Sequence, residues 1–190
     1  INSGISFFMY RGYIGMSSWS PNEGSLNNGL RLFNGTFITC GTLGTGTTSQ
    51  ALTTVVMGTP AVAKGGVTAI GMFTGGTNTA QNNTIQSGIY YGLFKEDLRT
   101  MGEALVRAKL HLWNVYSNSY PSPMSNHIYW STLIGDPSMY VWREIPMNLN
   151  VSYEQEPPKG SNSSRIIVTD SNDEPLEDVW VTIRQSNDTI

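Results

Sequence analysis

Gly35-Thr-Phe-Ile-Thr-Cys40-Gly-Thr-Leu-Gly44-Thr-Gly-Thr47 is a short apolar, β-prone run that ends on the only cysteine of the chain and breaks into glycine. Phe37 and Ile38 favour a buried strand, whereas Gly41, Gly44 and Gly46 permit backbone angles and close approaches that other residues resist. This places a thiol at the carboxyl end of a strand. In open α/β sheets the binding crevice lies outside those ends, where the N–H groups of a glycine turn can stabilise an oxyanion. The competing reading is that a free cysteine packs as a small hydrophobe.

Outward from this run, strand and helix patterns alternate. Ile5-Ser-Phe-Phe-Met-Tyr10 reads as a strand, followed by the loop Arg11-Gly-Tyr13-Ile-Gly15-Met-Ser-Ser-Trp19 with two glycines and four aromatic or long apolar side chains. Residues 27–32 are expected as a short helix before the Cys40 strand, and residues 49–57 as the helix after it. Thr59-Pro60 and Lys64-Gly65-Gly66 punctuate the chain before a third strand at 67–71, and the Asn/Thr/Gly-rich segment 74–84 reads as a surface loop. The clearest helix runs from 101 to 116. Thr100 and Glu103 form a capping-box pattern, and Met101, Leu105, Ala108, Leu112 and Val115 make one apolar stripe. His111 falls beside that stripe and reads as a packed or surface side chain. Pro121 and Pro123 are read as ending this region, His127 lies in the aromatic run His-Ile-Tyr-Trp130, and 138–142 is expected as the last strand of the domain. Such alternation predicts an α/β fold with a largely parallel sheet.

Beyond Ile145-Pro146 the texture changes. Residues 1–143 carry eight Lys/Arg against five Asp/Glu, whereas 144–190 carry three against nine, so the overall charge of −3 conceals a reversal. Runs at 149–153, 165–169 and 179–184 alternate like strands around an acidic turn at 172–175. The expected organisation is therefore an α/β domain over 1–145 and the start of a small all-β sandwich-type module over 147–190, which needs further chain or a partner to close. Ile1 leads almost directly into the first strand, which predicts further amino-terminal strands upstream of this chain.

Several function classes are poorly supported. No basic run with interleaved aromatics points to nucleic acid. One cysteine and two histidines provide neither a disulfide framework nor the ligands of a structural zinc site, and no cofactor is expected. No apolar run reaches the roughly 18 residues of a membrane span.

The order of Tyr-Arg-Gly-Tyr-Ile-Gly-Met-Ser-Ser-Trp19, Phe-Ile-Thr-Cys40-Gly, Gly-Thr-Pro60, Lys-Gly-Gly-Val-Thr-Ala-Ile-Gly71, Gly-Glu-Ala-Leu-Val-Arg-Ala-Lys-Leu110 and Leu-Ile-Gly-Asp-Pro137 resembles the gingipain-like cysteine peptidases over about residues 3–143. The resemblance implies a caspase-like three-layer domain, with Cys40 at the nucleophile position and the Gly41 N–H as oxyanion donor. It also implies a secreted or cell-surface bacterial protein made as a precursor, acting on or binding a peptide or protein, with the remainder of its own processed precursor as a candidate partner. The segment from Leu149 resembles the immunoglobulin-like or carboxypeptidase-regulatory-like modules that follow such domains.

The same resemblance exposes two departures. Active relatives carry Gly-His-Gly where this chain has Gly12-Tyr13-Ile14, and that histidine is their general base. A phenol with a pKa near 10 is a poor proton acceptor at neutral pH, where an unassisted thiol is only a few per cent thiolate. Relatives also often place a glutamate in the helix after the cysteine, where this chain has Leu52. The expected function is a catalytically impaired peptidase domain kept as a structural or binding module. The alternatives are an active endopeptidase using another base, with His127 the candidate, and an unrelated α/β function. Tyr13 and Trp19 are expected beside Cys40, lining a pocket.

Overall fold

The computed structural model describes residues 1–13, 16, 26–44, 50–59, 61–145, 147–156 and 158–183. It divides into two compact units, Ile1–Arg143 and Glu144–Ile190.

The first unit contains β1 (Phe7–Tyr10), β2 (Phe33–Phe37), α1 (Gln50–Val56), β3 (Gly66–Met72), α2 (Thr79–Lys95), α3 (Met101–Tyr116), α4 (Pro121–Trp130) and β4 (Ser131–Ile134). Among the described residues the sheet order is β1-β2-β3-β4, with the first three strands parallel and β4 antiparallel to β3. The two-residue side-chain period of β3 divides the core. Ile70 and Met72 pack with Ile85, Ile89 and Leu93 of α2 and with Met101, Ala104, Leu105, Ala108 and Leu112 of α3. On the other face Ala69 joins Phe37, Leu43 and Ala51 of α1. Burying a Leu or Ile side chain of this kind contributes about 1.5–3 kcal/mol. Gly71 lets α1 come close, since a Cβ there would lie 2.9 Å from the Cβ atoms of both Ala51 and Leu43.

The capping box forms as expected. Thr100 Oγ1 accepts from the Glu103 N–H at 3.1 Å, and the Glu103 carboxylate accepts from the Thr100 N–H at 3.0 Å. The Arg99 N–H foremost, then the Thr100 hydroxyl and N–H, all donating to the Glu103 carboxylate, hold it below its ordinary pKa.

Elsewhere the elements differ from expectation, each for a physical reason. Residues 27–32 form a turn instead of a helix, because Gly29 adopts φ +56° and the Asn28 side chain bonds the Arg31 and Gly65 backbone. The segment read as a loop at 74–84 contains the first turns of α2, capped by Asn78 Oδ1 on the Ala80 N–H at 2.9 Å. Its buried apolar residues, Ile85, Ile89 and Leu93, begin only after a first turn whose buried side chains, Gln81 and Asn82, are polar. Pro121 opens α4 rather than ending a region, since a proline at the first helical position gives up an N–H that has no partner there anyway. Residues 138–142 form only an isolated bridge, Thr100 to Tyr140, and β4 is the strand that flanks β3.

The second unit has β5 (Asn150–Tyr153) paired antiparallel with β6 (Ile166–Thr169). The acidic turn is built on Asp170, whose Oδ1 accepts from the Asn172 and Glu174 N–H groups at 2.8 and 3.0 Å. The third strand expected at 179–184 is not formed over 179–183, and residue 184 lies outside the described residues.

The α2–α3 interface rests on Gly88, where an added Cβ would fall 2.8 Å from the Ala108 Cα. A backbone atom cannot swing aside. Gly88→Ala should therefore destabilise the domain, because overpacking costs about 1–3 kcal/mol whereas the gain in helix propensity is at most about 1 kcal/mol. Denaturant unfolding checks this, and a variant at least as stable as the parent contradicts it.

Candidate active site

Three parallel strands end on one side of the sheet, and their exits build the surroundings of Cys40. From β1 come Arg11, Gly12 and Tyr13, from β2 come Thr39 to Thr42, and from β3 come Thr74 to Asn78. Threonine hydroxyls and backbone groups join the three exits. Thr39 Oγ1 lies 3.0 Å from the Gly12 carbonyl and 2.7 Å from that of Tyr13, so its proton ties β1's exit to β2's. The Gly41 N–H donates to the Thr74 carbonyl at 2.6 Å, tying β2's exit to β3's. Thr42 turns the chain back, with its hydroxyl 2.5 Å from the Phe37 carbonyl and 3.0 Å from that of Thr39 while accepting from the Met72 N–H at 3.1 Å.

Cys40 itself is 8% exposed. Its Sγ lies 3.0 Å from Thr77 Oγ1 and 3.7 Å from the Thr77 carbonyl oxygen. Asn82 Nδ2 donates to the same Thr77 hydroxyl at 2.6 Å, which leaves the hydroxyl proton free to point at sulfur. A neutral thiol can thus donate to the Thr77 carbonyl, and a thiolate can accept from the Thr77 hydroxyl. Arg11 is the nearby cation. Its Nε donates to Asn83 Oδ1 at 2.8 Å and its Nη1 to the Gly12 carbonyl at 2.6 Å. Burial lowers the pKa of its guanidinium from the ordinary value, and the electrostatic interaction with Cys40 pulls it back up.

The residues expected at the site fare differently. Tyr13 brings its main chain to the β2 exit through Thr39, but its side chain is 83% exposed. Trp19 lies outside the described residues. The Gly41 residue has φ +71°, as a glycine turn requires, and its N–H points at Thr74, so oxyanion duty needs that bond to open. His111 sits in the α2–α3 interface near Gly88. His127 is buried, with Nδ1 2.8 Å from the Pro123 carbonyl and Nε2 accepting from the Asn78 N–H at 3.0 Å. Both its nitrogens are committed, and among the described residues Cys40 Sγ has no hydrogen bond to an imidazole.

Arg11, Thr77 and Asn82 escaped the sequence reading. The available signal was Asn78-Thr79, a helix N-cap pair that places the next turn, and hence Asn82, beside the strand ends.

The sequence model of peptidase family C25 matches residues 1–142. The chain belongs to that family. Among solved structures, this C25 chain is similar to the Arg-specific cysteine proteinase gingipain R, with 17% identity, a TM-score of 0.70, and coverage of 88% of this chain and 40% of that one. It is likewise similar to the complex of Porphyromonas gingivalis RgpB pro- and mature domains, with 17% identity, a TM-score of 0.68, and coverage of 88% and 41%. The chain thus spans about two fifths of these structures. No curated protein sequence matches it. Among the described residues no three His, Cys, Asp or Glu side chains gather as a metal site, and no helix is long and apolar enough to cross a membrane.

Thr42→Val should lower stability by about 1–3 kcal/mol, because it takes the hydroxyl from the buried Met72 N–H without opening a cavity, while the Phe37 carbonyl keeps the Thr39 N–H. Thr42→Ser keeps the hydroxyl and should stay within about 1.5 kcal/mol of the parent, a loss set by one buried methyl group. Urea unfolding of the pair tests this, and equal stability of the Val variant and the parent refutes the role of the hydroxyl.

Proposed function

We propose that this C25 domain keeps Cys40 at the nucleophile position without a base to activate it, and serves as a structural or peptide-binding module on a secreted or surface-exposed bacterial protein. The observation that carries the reading is the partner set of the thiol: Thr77 is bonded to Cys40 Sγ, while the one buried imidazole, His127, is engaged by Asn78 and Pro123. Tyr13 stands where relatives have their histidine. Its phenol is a weak acceptor at neutral pH, and its side chain faces solvent. General-base assistance typically contributes 10²–10⁴-fold, so losing it leaves a slow enzyme even when the nucleophile is in place. The alternative, an active endopeptidase, is favoured by Thr77 and Arg11, which both stabilise a thiolate.

Residues 147–190 are proposed as the beginning of a β module separate from the peptidase domain of 1–145. Its ligands and those of the domain are expected to be peptides or proteins, the remainder of its own precursor among them. That last point is supported by the pro- and mature-domain complex of RgpB, a structural neighbour.

Hydrolysis of a quenched fluorescent peptide library at neutral pH tests the function. The parent chain should cleave at a rate within about tenfold of Cys40→Ala, and Tyr13→His with Ile14→Gly should raise the rate toward the 10²–10⁴-fold range of a positioned base. Robust Cys40-dependent cleavage by the parent overturns the impaired reading. Limited proteolysis should cut first between residues 154 and 162. Preferred cleavage within α3 would instead defeat the proposed boundary.

A further inference from the structure

Thr77, Asn78 and His127 form a chain of contacts that ends on the Cys40 sulfur. Pro123 offers a carbonyl, which can only accept, so Nδ1 of His127 must carry the proton. The Asn78 amide can only donate, so Nε2 must be bare. The two partners demand the same neutral tautomer. Asn78 is the residue after Thr77, whose hydroxyl and carbonyl are the hydrogen-bond partners of Cys40 Sγ. We propose that His127 is the positioning residue of the Cys40 site: its bare Nε2 holds the Asn78 amide, the amide fixes Thr77 over the thiol, and protonation of the imidazole releases the thiol.

The setting favours a switch of this kind. His127 is only 2% exposed, and a cavity of about 610 Å³ opens beside it, walled by Tyr116, Tyr120, Trp130 and Gln81. The titratable groups facing it are Tyr116 of α3 and Tyr120 at the start of α4. The walls contributed by α2 and by the Gly76–Asn78 segment carry no charged side chain among the described residues. Burial lowers the His127 pKa from its ordinary value near 6.5, with the Pro123 bond opposing. The accepting form therefore persists through neutral pH. The sign follows from linkage: the unfolded chain binds a proton near pH 6.5 that the folded chain refuses, so this contribution is complete above that pH and is lost as the pH falls below it. A protonated Nε2 would face the Asn78 N–H donor to donor, and the bond would break.

The inference rests on Cys40 being the site thiol and not on turnover, so its test reads thiol chemistry. As the chain has a single cysteine, iodoacetamide reports on Cys40 alone. Parent and His127→Gln, which keeps an acceptor near the Nε2 position but does not titrate, should alkylate within about twofold of each other at pH 8. Below the His127 midpoint the parent should become severalfold faster than His127→Gln. His127→Phe should be faster than both across the range. If that variant does not fold, Thr77→Val frees the thiol without touching the imidazole and should be fast at every pH, with no step at the His127 midpoint. Nitrogen-15 spectra should show His127 protonated at Nδ1 at neutral pH, and the Asn78 amide shift should titrate with the imidazole. Equal rates for parent and His127→Gln from pH 5 to 8, or a proton on Nε2 at neutral pH, overturn the proposal. A chain that cleaves no peptide leaves it standing, and so does one that cleaves well.

Discussion

The Thr42 hydroxyl is the constraint on which the site depends. It has one proton and two lone pairs, set among the carbonyls of Phe37 and Thr39 and the N–H of Met72. Those groups belong to the end of one parallel strand and the end of its neighbour, so one side chain both reverses the chain after β2 and sets the height of that turn against β3. Cys40 is carried on the reversed segment. Its sulfur meets the β3 exit at Thr77, and the Gly41-to-Thr74 bond repeats the same connection through the backbone.

That dependence explains why α2 is polar where most core helices are not. Its first two turns present Asn82 to the Thr77 hydroxyl and Gln86 to Thr36, while Ile85, Ile89 and Leu93 supply the apolar burial. The arrangement has a cost. The side-chain oxygens of Gln81, Asn82 and Gln86 are buried without a hydrogen-bond partner among the described residues. Groups of that kind cost about 1–3 kcal/mol each, so stability alone does not account for three amides here. Two of them orient hydroxyls, one of which touches the thiol.

The same feature set the limits of what could be read beforehand. The Cys40 strand end, the helix after it, the strand at 67–71 and the capped helix from Met101 were legible because each carries its signal locally: an apolar run, a glycine break, a Thr-to-Glu pair. The start of α2 was not, since Thr79 to Thr84 contains no apolar residue larger than Ala80 and its buried side chains, Gln81 and Asn82, are amides. Pro121 and Pro123 read as terminators because a proline stops a helix far more visibly than it starts one. Residues 138–142 have the composition of a strand but meet only one bridging partner. Within the site, Cys40 was legible from its place before a glycine turn. Arg11 and Thr77 were not, because their relation to the thiol comes from the parallel alignment of strand ends that lie tens of residues apart.

These observations also separate the scaffold of the site from its chemistry. The bonds that hold the three strand exits together come from threonine hydroxyls and the backbone, and Tyr13 joins them through its carbonyl, which accepts from Thr39. Any residue has that carbonyl. The Tyr13 side chain projects into solvent, where surface substitutions typically move stability by no more than about 0.5 kcal/mol. Substituting the Tyr13 side chain is thus nearly free of structural consequence, whereas altering Thr42 or Thr77 disturbs buried hydrogen bonds. The turn and the neighbours that hold Cys40 therefore do not depend on which side chain stands at position 13.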